Sequence, residues 1–222
     1  MAFDKETEFM LSKFSHELRN PLTTLFSTIQ FLETQHPEVK NYKYWSCLSQ
    51  DVEYMNLLID ELSDFTKSER LTLTTFDFRT FLEQISLSFA ASICNSDVLF
   101  TSKIDSSIHQ ITGDKTKLQE VFFNLLKNAF EAAKPNHTIS LIATQCDSQI
   151  SVLIKDTGCG ILKEQLPTIF EPFITYKKNG TGLGLSICRQ IVLAHNGTIS
   201  VTSSEGIGTT FTVLLNAENE CD

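Results

Sequence analysis

The stretch FSHELRNPL, residues 14–22, places His16, Glu17, Arg19 and Asn20 within one helical turn and then accepts Pro21. A carboxylate next to an imidazole can orient the ring and favour the tautomer that leaves one nitrogen free to react. Phe14, Leu18 and Leu22 lie between these polar residues at helical spacing. Taken alone, the segment also reads as a solvated helix face with an incidental histidine.

Three glycine clusters carry a second kind of chemistry. DTGCGI (156–161) follows an apolar run, and glycines after a strand permit a tight turn and a close backbone approach to a ligand. Asp156 at the end of that run can accept a hydrogen bond from an exocyclic amine, although a plain surface turn has the same composition. NGTGLGLSI (179–187) precedes a helical pattern, and free amides at a helix start can hold phosphate. It is neither a Walker loop nor a dinucleotide fingerprint. GIGTTF (206–211) alone reads as a hairpin turn. In NLLKNAFEAAK, Asn124 and Asn128 are four residues apart and share one helix face, while Leu125, Leu126 and Ala129 lie on another. Such a pair forms a polar network, or lends an amide oxygen to Mg²⁺, which prefers oxygen ligands and leans on substrate phosphates.

These residues need two kinds of scaffold. Leu11, Phe14, Leu18, Leu22, Leu25, Ile29 and Leu32 recur in steps of three and four and predict one helix over 5–34, ended by Pro37. Tyr44, Leu48, Val52, Met55, Ile59, Leu62 and Phe65 predict a second, to about residue 68. The pair forms an antiparallel hairpin with an apolar stripe that it cannot bury by itself, so a second copy is expected to complete a four-helix bundle. SERLTLTTFDF then shifts to an extended pattern. FRTFLEQISLSFAASI reads as a helix, DVLFTSKI as a strand, and DKTKLQEVFFNLLKNAFEAAK as a helix capped by Asp114. Two strands meet around a turn at 146–149. A helix over GLGLSICRQIVLAHNG leaves through Asn196–Gly197, and a last hairpin closes the chain. Residues 72–216 thus predict a mixed sheet layered with helices, α+β overall when the hairpin is included.

The bulk properties exclude several classes. A net charge of −9 over 222 residues, with no basic block, argues against nucleic-acid binding. No apolar run reaches about 18 residues, and the start MAFDKETEFM is unlike a signal peptide, so a cytoplasmic location is expected. The six cysteines form no CxxC pair and suggest neither zinc nor a disulfide framework; Cys159 sits in a glycine-rich loop where it could be accessible.

The order FSHELRNPL, NLLKNAFEA, DTGCGI, FEPF, GTGLGL, GTTF resembles the catalytic core of a sensor histidine kinase of a two-component system, across nearly the whole chain and in that family's order. The resemblance implies a dimerisation and phosphotransfer hairpin over 1–70 and a catalytic ATP-binding domain of the Bergerat type, an α/β two-layer sandwich, over 71–222. It implies that His16 is the phosphoacceptor, Glu17 its neighbouring acid/base, and Asn20 the residue that positions water for dephosphorylating the partner, with Pro21 kinking the helix beside them. Asn128 would ligate Mg²⁺, with Asn124 near the phosphates. Asp156 would bind the adenine amino group of ATP, and Gly158 and Gly160 would let the backbone approach the base. Phe170 and Phe173 would anchor a short lid, and Lys177 would reach the terminal phosphate. Gly182 and Gly184 would close over the phosphates, and Thr209 would lie near the adenine. The partners implied are a second copy and the receiver domain of a response regulator. The family usually carries a sensor or membrane region ahead of the first helix. None is visible here, which implies either an excised core or a kinase that takes its signal from a sensor protein or inhibitor. Two rival readings remain, a binding module with a vestigial nucleotide site and an ATPase of the gyrase and chaperone group. The first should lack the Asn, Asp and Gly residues found here, and the second should have a helix carboxylate where Asn124 stands.

Overall fold

The computed structural model describes residues 5–177 and 180–217, with side chains from residue 10 onward. Asn179, at the start of the second glycine cluster, and Cys221 lie outside the described residues. The chain divides into two compact units, Met1–Lys67 and Ser68–Asp222.

The first unit is a helical hairpin: α1 (Lys5–Gln35), a 3₁₀ turn (Pro37–Asn41) and α2 (Trp45–Lys67). Ile29, Val52, Ile59 and Phe65 are buried in it, together with the small polar Ser15 and Ser63. Ser15 satisfies its hydroxyl on the Leu11 carbonyl, 2.8 Å away, so a buried hydroxyl is tolerated there. Arg19 ties the helices together by donating to Asp60 Oδ1 at 2.7 Å. At the closed end Glu33 accepts from Trp45 Nε1 at 2.8 Å and pairs with Lys40 at 3.3 Å. The bond from Trp45 is the main reason the Glu33 carboxyl is held below its usual range. Pro21 lies inside α1, which runs through it without a break. It removes one N–H, the donor that the Glu17 carbonyl would otherwise receive. Phe14, Leu18 and Leu25 on α1 and Leu48 and Met55 on α2 stay exposed, in steps of four and seven. The hairpin therefore carries the unpartnered stripe that its sequence predicts.

The second unit is built on a five-stranded sheet of order β2 (Leu99–Ile104), β4 (Thr138–Cys146), β5 (Gln149–Asp156), β7 (Gly208–Asn216), β6 (Thr198–Ser204). The β2–β4 pair is parallel and the others are antiparallel. Ile139, Leu141 and Ala143, then Ile150, Val152 and Ile154, then Phe211, Val213 and Leu215 alternate along the strands and are buried. The register sets Leu141 opposite Ile154 and Val152 opposite Val213, so these residues form one continuous apolar face. Three helices cover it: α3 (Phe78–Ser92), α4 (Lys115–Ala132) and α5 (Gly184–Ala194). Leu118, Val121, Phe122, Leu125, Leu126 and Ala129 bury one side of α4. Asn124 and Asn128 are left on its half-buried side. Phe78 and Phe81 stack at 5.5 Å and meet Phe122 at 6.1 and 6.2 Å, adding directional ring contacts to the area they bury.

The sequence reading omits one strand. β3 (Gln110–Gly113) pairs antiparallel with β1 (Thr74–Asp77) in a separate two-stranded sheet. QITG is four residues with one large apolar side chain, Ile111, too short to show an alternation. The Asp114 cap is as expected: its Oδ1 accepts from the Lys117 N–H at 3.0 Å. Its Oδ2 also takes the Thr72 N–H at 2.7 Å. Burial would raise this carboxyl, but the donated backbone N–H groups outweigh it and hold the group below its usual range. The Asp114 N–H in turn donates to His195 Nε2 at 2.9 Å. The His195 proton therefore sits on Nδ1, 2.7 Å from the Ile191 carbonyl, and the ring joins the end of α5 to the start of α4.

Candidate functional site

Asp156 ends β5 and is 3% exposed. Its Oδ1 accepts the Gly158 N–H at 2.7 Å and the Thr209 N–H at 3.3 Å. Oδ2 has no hydrogen bond among the described residues. Burial pushes the carboxyl above its usual range, against the two backbone donors that pull it down. A buried acid with one oxygen anchored and the other unspent is set up to accept from a ligand. Thr209, 4% exposed, completes the wall, with its hydroxyl 2.9 Å from Ser203 Oγ.

The GIGTTF hairpin is more than a turn. Gly208 has φ +135°, and a Cβ there would lie 2.1 Å from the Asp156 carbonyl oxygen. Only glycine lets β7 come this close to the end of β5. At Gly158 and Gly160 the close approach is to the chain's own carbonyls, those of Ala132 and Ser204. These glycines are thus required first to wedge the loop between α4 and the β6–β7 turn. Cys159, between them, is exposed as expected.

On α4, Asn128 Nδ2 donates to Asn124 Oδ1 at 3.3 Å. Asn124 also lies against Gly184, where a Cβ would come within 2.7 Å of its amide. The two asparagines and the start of α5 therefore form one surface. Among the described residues no side chain caps α5 at Leu183, and the first-turn N–H groups of a helix have no intrahelical acceptor. Such a start favours an anion. Lys177 Nζ donates to Asn128 Oδ1 at 2.7 Å and to Glu131 Oε2 at 2.5 Å. Phe170 packs edge-on to Phe211 at 6.3 Å. Phe173 takes φ +64° and donates its N–H to the Gly182 carbonyl at 3.0 Å. A non-glycine residue held in the left-handed region marks a conformation fixed by its surroundings. Glu131, Ser203 and Gly208 are absent from the sequence-derived site. Only Glu131 had a readable signal, its place three residues after Asn128 on the same helix.

His16, Glu17 and Asn20 belong to the hairpin unit. All three are exposed on α1. His16 has no hydrogen bond among the described residues, and Glu17 pairs with Lys13 at 3.9 Å rather than with the imidazole. His16 and Asn20, four apart, share a face. Beyond them a shallow open groove of about 790 Å³ runs along α1, lined by Arg19, Asn20, Thr23, Thr24, Ser27, Thr28 and Phe31. Among the described residues no helix is long and apolar enough to cross a membrane.

Residues 7–71 match the His Kinase A (phospho-acceptor) domain, and residues 113–219 match the histidine kinase-, DNA gyrase B- and HSP90-like ATPase family. Sporulation kinase C of Bacillus subtilis is 30% identical over 210 residues, 94% of this chain and 49% of that protein. The catalytic domain of histidine kinase ThkA, a solved structure, is 30% identical with a TM-score of 0.60, over 65% of this chain and 97% of that one. ThkA in complex with the response regulator protein TrrA is 25% identical with a TM-score of 0.67, over 94% of this chain and 61% of that one. The chain spans half or less of the length of the curated relatives it matches.

Proposed function

The chain belongs to the sensor histidine kinases of two-component systems, and we propose that it is a kinase core that moves the γ-phosphoryl of ATP to His16 and then to an aspartate on a separate receiver protein. In this reading residues 1–70 dimerise and carry the phosphoryl group, and residues 71–222 bind ATP. The observation that carries it is the buried Asp156 carboxylate, with Oδ1 held by two backbone amides and Oδ2 free. Oδ2 is the acceptor for the adenine amino group. Thr209, Gly158 and Gly160 shape the wall around the base. Gly182, Gly184 and the uncapped start of α5 receive the phosphates, with Asn124 beside them. Phe170 and Phe173 anchor the segment that brings Lys177 to the terminal phosphate.

The residues present also fit a divalent cation. Asn128 Oδ1 is already turned to a positive charge, the Lys177 ammonium at 2.7 Å. Mg²⁺, when bound, neutralises phosphate charge, and Asn128 would hold it. In the transfer an imidazole nitrogen of His16 forms a bond to the γ-phosphorus. The bond from that phosphorus to the β-phosphate oxygen breaks and ADP leaves. Glu17 then takes the proton that the phosphorylated ring loses. The exposed apolar stripe of the hairpin is the face for a second copy. The response regulator that accompanies ThkA supports a receiver domain as the partner here. The α1 groove beside Asn20 is a surface on which it can dock.

Incubation with γ-labelled ATP and Mg²⁺ tests the reading. Label that survives alkali and is lost in acid is expected. Nucleotide bound with no label incorporated would refute kinase activity. We also propose that Asn20 positions water against the phosphorylated receiver. Asn20→Ala is then expected to slow receiver dephosphorylation by about 10²-fold, the scale of lost positioning, with labelling of His16 unchanged. Equal loss of both rates would reduce Asn20 to a structural role.

A further inference from the structure

Lys177 sits where the proposed function needs it to leave. Its ammonium bridges two oxygens of α4, Asn128 Oδ1 at 2.7 Å and Glu131 Oε2 at 2.5 Å. These residues are three apart on one helix face and converge on a single positive charge. Among the described residues Lys127, at 4.0 Å, is the other cation beside Glu131. Asn128 Oδ1 cannot serve a metal ion and this ammonium together. A divalent cation at about 2.1 Å would stand roughly 4 Å from the ammonium and repel it. A neutral amide oxygen alone holds an ammonium weakly in water, so the carboxylate of Glu131 is what keeps Lys177 there.

We propose that Glu131 is a positioning residue that parks Lys177 on the cation position of Asn128 when nucleotide is absent. Loading is then a cation exchange: the metal-bound nucleotide takes the Asn128 oxygen, and Lys177 moves from Glu131 to the terminal phosphate. The inference rests on the nucleotide roles given above to Asn128 and Lys177. Glu131 itself touches neither substrate nor reacting atoms. With Lys177 48% and Glu131 40% exposed, the contact is an accessible one. It stores a small bias, and nucleotide can displace it without a large barrier.

Two measurements on the whole chain test this. The first is backbone hydrogen exchange over residues 171–177 without nucleotide, in the wild type, in Glu131→Gln and in the charge swap Glu131→Lys with Lys177→Glu. Exchange about two- to fivefold faster in Glu131→Gln is expected, the range open to an exposed ion pair. The swap should return to the wild-type rate, with β4 and β5 amides unchanged throughout. Equal exchange in wild type and Glu131→Gln would overturn the inference. The second is the association rate of a fluorescent ATP analogue, with Mg²⁺ and again in a chelator. Glu131→Gln should accelerate binding about two- to fivefold with Mg²⁺ and by less in the chelator, where only the Lys177 half of the exchange remains. Equal acceleration in both would be a plain charge effect and would also overturn the exchange. A wild-type chain that bound no nucleotide would sink the proposed function instead, while the hydrogen exchange would still decide whether Glu131 holds Lys177.

Discussion

Replacing His16 with Ala is expected to reduce label incorporation from γ-labelled ATP to background and to leave nucleotide affinity unchanged. Removing an attacking atom lowers rates by on the order of 10⁶ in well-studied enzymes, so no residual signal should be measurable. The side chain is exposed and makes no hydrogen bond among the described residues. The fold should therefore tolerate the change to within about 0.5 kcal/mol. His16 also lies in a different compact unit from Asp156, so loss of label with intact binding separates acceptor from nucleotide site. His195 cannot substitute, because its Nε2 accepts the Asp114 N–H and its Nδ1–H faces the Ile191 carbonyl. Label that persisted in His16→Ala and kept its acid lability would place the acceptor on another histidine.

Asp156→Asn should have the largest effect on binding. The amide keeps an oxygen for the Gly158 and Thr209 N–H groups but places an NH₂ where the carboxylate offered its free acceptor. Two donors then face each other across the adenine position. A hydrogen bond to a charged group contributes about 1.5–3 kcal/mol, and leaving buried partners unpaired costs about as much again. ATP affinity should fall by about 10²-fold or more in a titration. Stability should move the other way. Burial raises the Asp156 pKa in the folded chain. A raised carboxyl favours folding below its unfolded pKa, and that contribution is lost as pH rises through the folded value. At neutral pH the buried charge is thus a net cost, and Asn removes it. Asp156→Asn should melt no lower than wild type at pH 7, and its advantage should shrink on acidification. Unchanged ATP affinity would remove the adenine role from Asp156. A large drop in melting temperature would make the carboxylate structural.

Much of this chain was legible before any fold was known. The helices α1 and α2 follow from apolar spacing, and the Asp114 cap of α4, the turn at 146–149 and the Asn196–Gly197 exit of α5 follow from residue type. All of these are set by interactions within a few positions, where period and side-chain chemistry suffice. The order of the polar and glycine motifs identified the family for the same reason, since each motif is a local constraint on backbone and charge.

What stayed illegible depends on contacts across long stretches of chain. Strand β3 is too short to show a period and exists because it pairs with β1, more than thirty residues earlier. Gly208 looked like a turn residue because nothing nearby reveals that β7 must pass against the Asp156 carbonyl. The second anchor of Asp156 comes from Thr209, fifty-three positions on. Lys177 meets Glu131 across forty-six positions. The sequence by itself determined the elements, the caps and the family, because those are written in short-range period and composition. The tertiary structure alone decided which donors hold Asp156, which cation now rests on Asn128 and which glycines are needed for packing. Those are matters of register and close approach, and they arise only when the sheet and its helices are assembled.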